Sequence, residues 1–127
     1  MSKAYYPQEC KLSNVTVIGA SQTNTPISLT FSVSKAGSLN ILVAIQCSAV
    51  TAGAGITAKL QSSVTGADWL DGNSVSVTGN GWFYIRMNIE VSADQAKLPL
   101  ADLGRVVLTT GAGSAATIDA VYVVQAH

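Results

Sequence analysis

Along most of this chain apolar residues recur at every second position. Ile27, Leu29, Phe31 and Val33 alternate with Ser28, Thr30 and Ser32, and Leu39, Ile41, Val43, Ile45 and Cys47 repeat the pattern. A period of two sends successive side chains to opposite faces of an extended strand and is the wrong period for an amphipathic helix. The same alternation marks Val15 and Val17 (with Ile18 out of phase), Ile56, Ala58 and Leu60, Val75 and Val77, and the long run 83–91. It returns in the Val/Leu run 105–110 and in Ile118, Ala120, Tyr122 and Val124. Turn chemistry punctuates these runs at Lys35-Ala36-Gly37-Ser38, Thr65-Gly66-Ala67-Asp68, Asp71-Gly72-Asn73, Gly79-Asn80-Gly81 and Gly111-Ala112-Gly113-Ser114.

About eight strands separated by Gly-rich turns predict an all-β fold, a β-sandwich or jelly roll of antiparallel strands. With 127 residues the chain fits one domain. The runs 27–33 and 39–47, joined by the turn at 35–38, form a candidate hairpin. The second run carries Leu42 and Ala44 on its other face as well, which predicts a central strand or one whose outer face a partner covers. The single helical candidate is 92–98, with Ser92 as N-cap and Pro99 after it, long enough for a turn or two. Residues 1–12 show no period and read as an N-terminal arm, leaving 13–127 for the sandwich.

Seven Lys and Arg balance seven Asp and Glu, and only 11% of residues are charged, against about 25% in ordinary soluble domains. A chain without excess positive charge is a poor candidate for nucleic-acid binding. A surface so weakly charged favours association, which predicts a self-associating or partner-covered protein. The N-terminus has no signal-peptide pattern, so synthesis in a cytosol is expected. The longest aliphatic run, Ile41-Leu42-Val43-Ala44-Ile45, is far short of the ~20 residues of a membrane-spanning helix. Cys10 and Cys47 are expected to be free thiols, with Cys47 a small core residue.

Catalytic constellations are hard to assemble from this sequence. The sole histidine is His127, which leaves a Ser–His–Asp or Cys–His arrangement without an internal base. No phosphate-binding glycine loop occurs, and zinc would lack ligands. Asp68, Asp71 and Glu90 lie near Trp69, Trp82 and Tyr84 in sequence, a combination that suits a glycan platform or a pair of glycosidase carboxylates. The plainer reading makes Trp69 a core or loop anchor and the acids solvated turn residues. Asp68, Asp71 and Asn73 supply too few oxygens for calcium, which takes six to eight. The expectation is therefore a non-enzymatic protein with no cofactor and no metal. On the strand 83–91 the alternate face carries Trp82, Tyr84, Arg86 and Glu90. Tyr5, Tyr6, Trp82, Tyr84 and Arg86 are the candidate partner-interface residues, since aromatic residues and Arg dominate binding hot spots.

The segment Leu60-Gln61-Ser62-Ser63-Val64-Thr65-Gly66-Ala67-Asp68-Trp69 follows the pattern L-Q-x-S-x-x-G-x-x-W. A later segment has Leu98-Pro99-Leu100, then Gly104-Arg105-Val106-Val107-Leu108-Thr109, a Gly-rich turn and a closing apolar strand. Together these segments resemble the capsid decoration, or cement, proteins of tailed bacteriophages. The resemblance implies a jelly-roll protein on the capsid exterior, bridging neighbouring major capsid proteins as a dimer or trimer. It implies no catalytic residue. The alternative within this reading is a head-fibre or tail adhesin module that binds host-surface glycan through Trp69, Trp82 or Tyr84.

Overall fold

The structure is a computed structural model describing residues 5–9, 15–32, 39–63, 65–89 and 103–126. Cys10, Val33, the expected turn at 35–38, Glu90, the helical candidate at 92–98 and His127 lie outside the described residues, as do the side chains of 5–9, 39–40, 87–89 and 125–126. The described residues form ten strands and no helix. The strands are β1 (Tyr5–Glu9), β2 (Thr16–Ile18), β3 (Thr25–Pro26), β4 (Phe31–Ser32), β5 (Leu39–Thr51), β6 (Ile56–Ser63), β7 (Leu70–Ser76), β8 (Gly81–Ile89), β9 (Leu103–Thr110) and β10 (Ala115–Ala126).

They assemble into two antiparallel sheets. In the first, β10 and β5 are central and β8 is an edge. β1 and β2 both pair with β10, on the side that β5 leaves free. In the second, β9 and β6 are central, β7 is an edge, and β3 and β4 share the free side of β9. The all-β expectation thus holds: this is a β-sandwich with four strand positions per sheet. Tyr5–Glu9, assigned to an arm on sequence, supplies an edge strand against the C-terminal half of β10.

Two inner faces make the core. Ile41, Val43, Ile45 and Cys47 of β5, Ile85 of β8, and Ala116, Ile118, Val121 and Val123 of β10 pack against Ile56, Ala58 and Leu60 of β6 and Val106 and Leu108 of β9. Each large aliphatic side chain removed from water in this way contributes about 1.5–3 kcal/mol. Phe31 closes one end of the core on Gly104, where even a methyl group would meet the ring.

Several expectations change at the level of pairing and phase. The candidate hairpin does not form. Phe31 and Ser32 pair with Gly104 and Leu103 in the second sheet, whereas Leu39–Thr51 pairs with β8 and β10 in the first. Phe31–Ser32 and Leu39–Thr51 therefore lie in different layers, and a period of two is the same whether neighbouring runs pair or face each other. The 27–33 run is also not continuous. Ile27 and Ser28 are buried but Leu29 is 62% exposed. The Ser28 hydroxyl accepts the Val106 N–H (2.9 Å) while Ile27 N–H donates to the Val106 carbonyl, so a side chain stands in for a strand acceptor where the backbone breaks step. In β2, Ile18 enters the core and Val15 and Val17 face outward.

β10 switches faces part-way along. Ile118 stands opposite Cys47 and Ala120 opposite Gln46, so Asp119 is an extra residue, a β-bulge. Before it the core takes 116 and 118; after it, 121 and 123. Ala120, Tyr122 and Val124 therefore line the outer face rather than continuing from Ile118. The Asp71-Gly72-Asn73 signal is likewise no turn. Asp71 pairs with Gln61 and Ser74 with Lys59, so β7 spends one more residue than β6 here and the turn-formers are absorbed in a bulge. Among the described residues no helix is long and apolar enough to cross a membrane.

One end of the sandwich is closed by two interlocked turns. Ala54 N–H donates to the Ala112 carbonyl, Gly111 N–H to the Gly55 carbonyl, and the buried Ser114 hydroxyl donates to the Ala52 carbonyl and accepts the Gly55 N–H. Gly53 has φ +52°, and a Cβ there would stand 2.5 Å from the backbone of Gly113. Gly53→Ala is therefore expected to destabilise the protein by about 2 kcal/mol or more in urea unfolding, whereas Gly79→Ala, with open space around it, changes little. Burial, reinforced by the nearby Asp119 carboxylate, pushes the Cys47 thiol up to about 11. In a Cys10→Ser variant at pH 8, Cys47 is expected to react with a thiol reagent roughly a hundredfold more slowly than the unfolded chain does. The unfolded chain ionises this thiol first, so its ionisation lowers stability as pH rises from about 9 toward 11.

Candidate functional site

The outer faces of the two sheets differ in character. On the first sheet, register sets out the outward side chains in rows: Val124, Leu42 and Arg86; Tyr122, Ala44 and Tyr84; Ala120, Gln46 and Trp82. Most of this face is apolar or aromatic. Trp82 is 43% exposed and Tyr84 52%, large values for side chains that bury readily. Trp82 and Tyr122 belong to strands on either side of β5, about 10 Å apart, yet their rings meet at 6.2 Å between centroids, tilted by 31°. The methyl side chain of Ala44 between Tyr122 and Tyr84 leaves them that room. The bulge at Asp119 is what brings Tyr122 to this face at all.

Of the candidate interface residues, Trp82, Tyr84 and Arg86 stand together here, on alternate positions of edge strand β8. Arg86 is exposed, and its carbonyl accepts the Asn73 side-chain amide (2.6 Å), which ties β8 to β7 across the sandwich edge. Tyr5 and Tyr6 lie at the opposite edge of the same sheet, paired with Ala126 and Gln125; their side chains are outside the described part.

On the second sheet the outer face holds a chain of polar side chains. Arg105 Nε donates to Gln61 Oε1 (2.9 Å), Gln61 Nε2 donates to Asp71 Oδ1 (2.9 Å), and Lys59 Nζ donates to Asp71 Oδ2 (3.2 Å). The guanidinium of Arg105 lies over the Trp69 ring, 4.1 Å from its centroid. Register explains the order, because Gln61 sits between Arg105 of β9 and Asp71 of β7. Gln61 is 3% exposed, and a buried amide needs its partners. The Gln61 hydrogen bond first, and Lys59 after it, hold the Asp71 carboxyl below the usual carboxylate range against the opposing effect of burial. Burial lowers the Arg105 value.

Trp69 is thus a half-buried loop anchor placed just ahead of β7. The turn before it is built by side chains: Gly66 N–H donates to Ser63 Oγ, and the Ala67 and Asp68 N–H groups donate to Thr65 Oγ1. The loop oxygens considered for calcium diverge, with Asp71 directed to Gln61 and Lys59 and the Asn73 amide to Arg86. No cluster of three His, Cys, Asp or Glu side chains that could hold a metal occurs among the described residues. The sequence reading missed this network. Alternation does place Lys59 and Gln61 on the face opposite Ala58 and Leu60, but their partners depend on strand register, which periodicity does not carry. The two segments that carry the phage resemblance meet in this network, at Gln61 and Trp69 from one and Arg105 from the other.

No protein-family model matches the chain, and a search of curated proteins finds no match to it. The fold itself defines the class: a β-sandwich with one aromatic sheet face and one polar, cross-linked sheet face.

Replacing Gln61 by Met, which keeps the volume but removes the amide, is expected to move the Asp71 carboxyl up toward the ordinary value in a carbon-detected NMR titration. Because that carboxyl is held low in the folded chain, its stabilising contribution is present above the usual carboxylate range and is lost as pH falls. The pH dependence of unfolding should flatten in the same variant.

Proposed function

We propose that this chain is a virion structural protein of a tailed bacteriophage. It decorates the capsid exterior, bridges neighbouring major capsid proteins as a dimer or trimer, and catalyses nothing. It is made in the host cytoplasm and acts in the particle. The observation that carries this reading is the exposed apolar and aromatic outer face of the first sheet, with Trp82, Tyr84 and Tyr122 on a rigid strand framework. A stable interface removes about 1,200–2,000 Å² from water, and a weakly charged face does so with little desolvation penalty.

The strand order supports the jelly-roll part of the proposal. Counting β1 with β2 and β3 with β4 as single positions, the first sheet runs 1-8-3-6 and the second 2-7-4-5. Successive positions along the chain alternate between the two layers except where β6 meets β7. A jelly roll wraps two Greek keys into two facing sheets in this manner. The resemblance in segments 60–69 and 98–109 supports the capsid role.

A second reading is favoured by the exposed aromatic rings of the same face. Trp82 and Tyr84, with Gln46 and Arg86 beside them, suit a sugar ring stacked on an indole, as in an adhesin module for host-surface glycan.

Fractionation of purified particles separates the two. A copy number comparable to the major capsid protein is expected for decoration; a few copies per particle, or none, refutes it and favours the adhesin. The double variant Trp82→Ala, Tyr84→Ala is expected to lower retention on capsids about tenfold or more. Its urea midpoint should fall only modestly, because the truncations give up the Trp82–Tyr122 ring contact but no core side chain.

A further inference from the structure

Charge on the outer face of the second sheet does not balance. Lys59 and Asp71 form an ion pair at 3.2 Å, and Asp71 is further occupied by Gln61. Arg105 has no carboxylate partner among the described residues. Its guanidinium is nevertheless held firmly: Nε is spent on Gln61, itself buried and tied to Asp71, and the Trp69 ring covers one face of the plane. Of its five N–H donors, one is used among the described residues; the four on the two Nη atoms are left. Burial disfavours its charge, with no described acid to offset the effect. A partly desolvated, oriented and uncompensated guanidinium is the group that a carboxylate would complete, because the two planar forks match in bidentate geometry.

We propose that Arg105, stacked on Trp69 and tethered by Gln61, is a recognition site for an Asp or Glu side chain on the surface of a partner protein. The proposal deepens the docking function above and rests on it. It adds a second contact face and states the chemistry of the partner. A carboxylate fits better than a polyanion such as nucleic acid. The chain has no net positive charge with which to neutralise a run of phosphates. One guanidinium fork accommodates one planar acid.

Side-chain 15N NMR of the full chain tests this without the natural partner. N-acetylglutamate methylamide is titrated in, with N-acetylglutamine methylamide and inorganic phosphate as comparators. The Arg105 guanidinium and the Trp69 indole signals are expected to move saturably with the glutamate compound and to stay put with the glutamine one. In Arg105→Lys, which keeps the charge but loses the fork, the Trp69 response disappears. No response to the glutamate compound, or an equal response to the glutamine compound or to phosphate, overturns the proposal. Thermal unfolding supplies the control: if Arg105→Lys melts lower and wild type shows no carboxylate response, the network only staples β7 to β6 and β9.

On capsids, Arg105→Lys is expected to weaken binding about tenfold or more. Unchanged capsid binding in that variant also counts against the site. The two readings fail separately. If the wild-type chain ignores capsids, decoration falls while the NMR result stands; if it binds capsids but shows no carboxylate response, this site alone falls.

Discussion

Each sheet of this protein is dry on its inner face only because the other covers it. Neither half has the means to be stable alone. The aliphatic residues of β5 and β10 stand beside one another in their own layer, but only β6 and β9 of the other layer cover them from water. That mutual cover decides where the rest of the chain goes. The short strands β3 and β4 join the second sheet although they immediately precede β5 of the first, because Ile27 and Phe31 must enter the gap from the side opposite Ile41, Val43 and Ile45. Where the backbone cannot keep strand geometry while doing so, side chains take over its hydrogen bonding. Ser28 serves Val106, and the Thr109 and Thr110 hydroxyls accept the N–H groups of Asn24 and Gln22.

With the interior settled, the two outward faces are what the sandwich presents, and they differ in chemistry. One relies on apolar area, with aromatic rings left exposed around an alanine floor. The other relies on hydrogen-bonded geometry, with a buried glutamine holding an arginine on one side and an aspartate on the other. The bridging role proposed above rests on these two faces being able to meet two neighbours at once.

The strands themselves were legible in the sequence, because a hydrophobic period of two is a local signal. So was the central position of β5, one of the two outcomes that apolar Leu42 and Ala44 on its second face predicted, and so was the grouping of Trp82, Tyr84 and Arg86 on one face of β8. What escaped was everything that depends on non-local pairing. The run 27–33 and the run 39–47 look like a hairpin until one knows that they lie in different layers. Asp71-Gly72-Asn73 looks like a turn until it is matched against Lys59 and Gln61. Gln61 itself looks like an ordinary polar residue on the solvent side of a strand. Only its register neighbours, Arg105 and Asp71, reveal that it is the buried centre of a network.

Asp119 shows how much can hang on one extra residue. It works as a phase shifter within a single strand, dividing β10 into an upstream half that counts its interior side chains on even numbers and a downstream half that counts them on odd ones. Were Asp119 drawn into the regular ladder instead of being left unpaired, the phase of the strand's second half would invert, turning Tyr122 and Val124 inward and expelling Val121 and Val123. The aromatic face and the core are thus phased together by one unpaired residue.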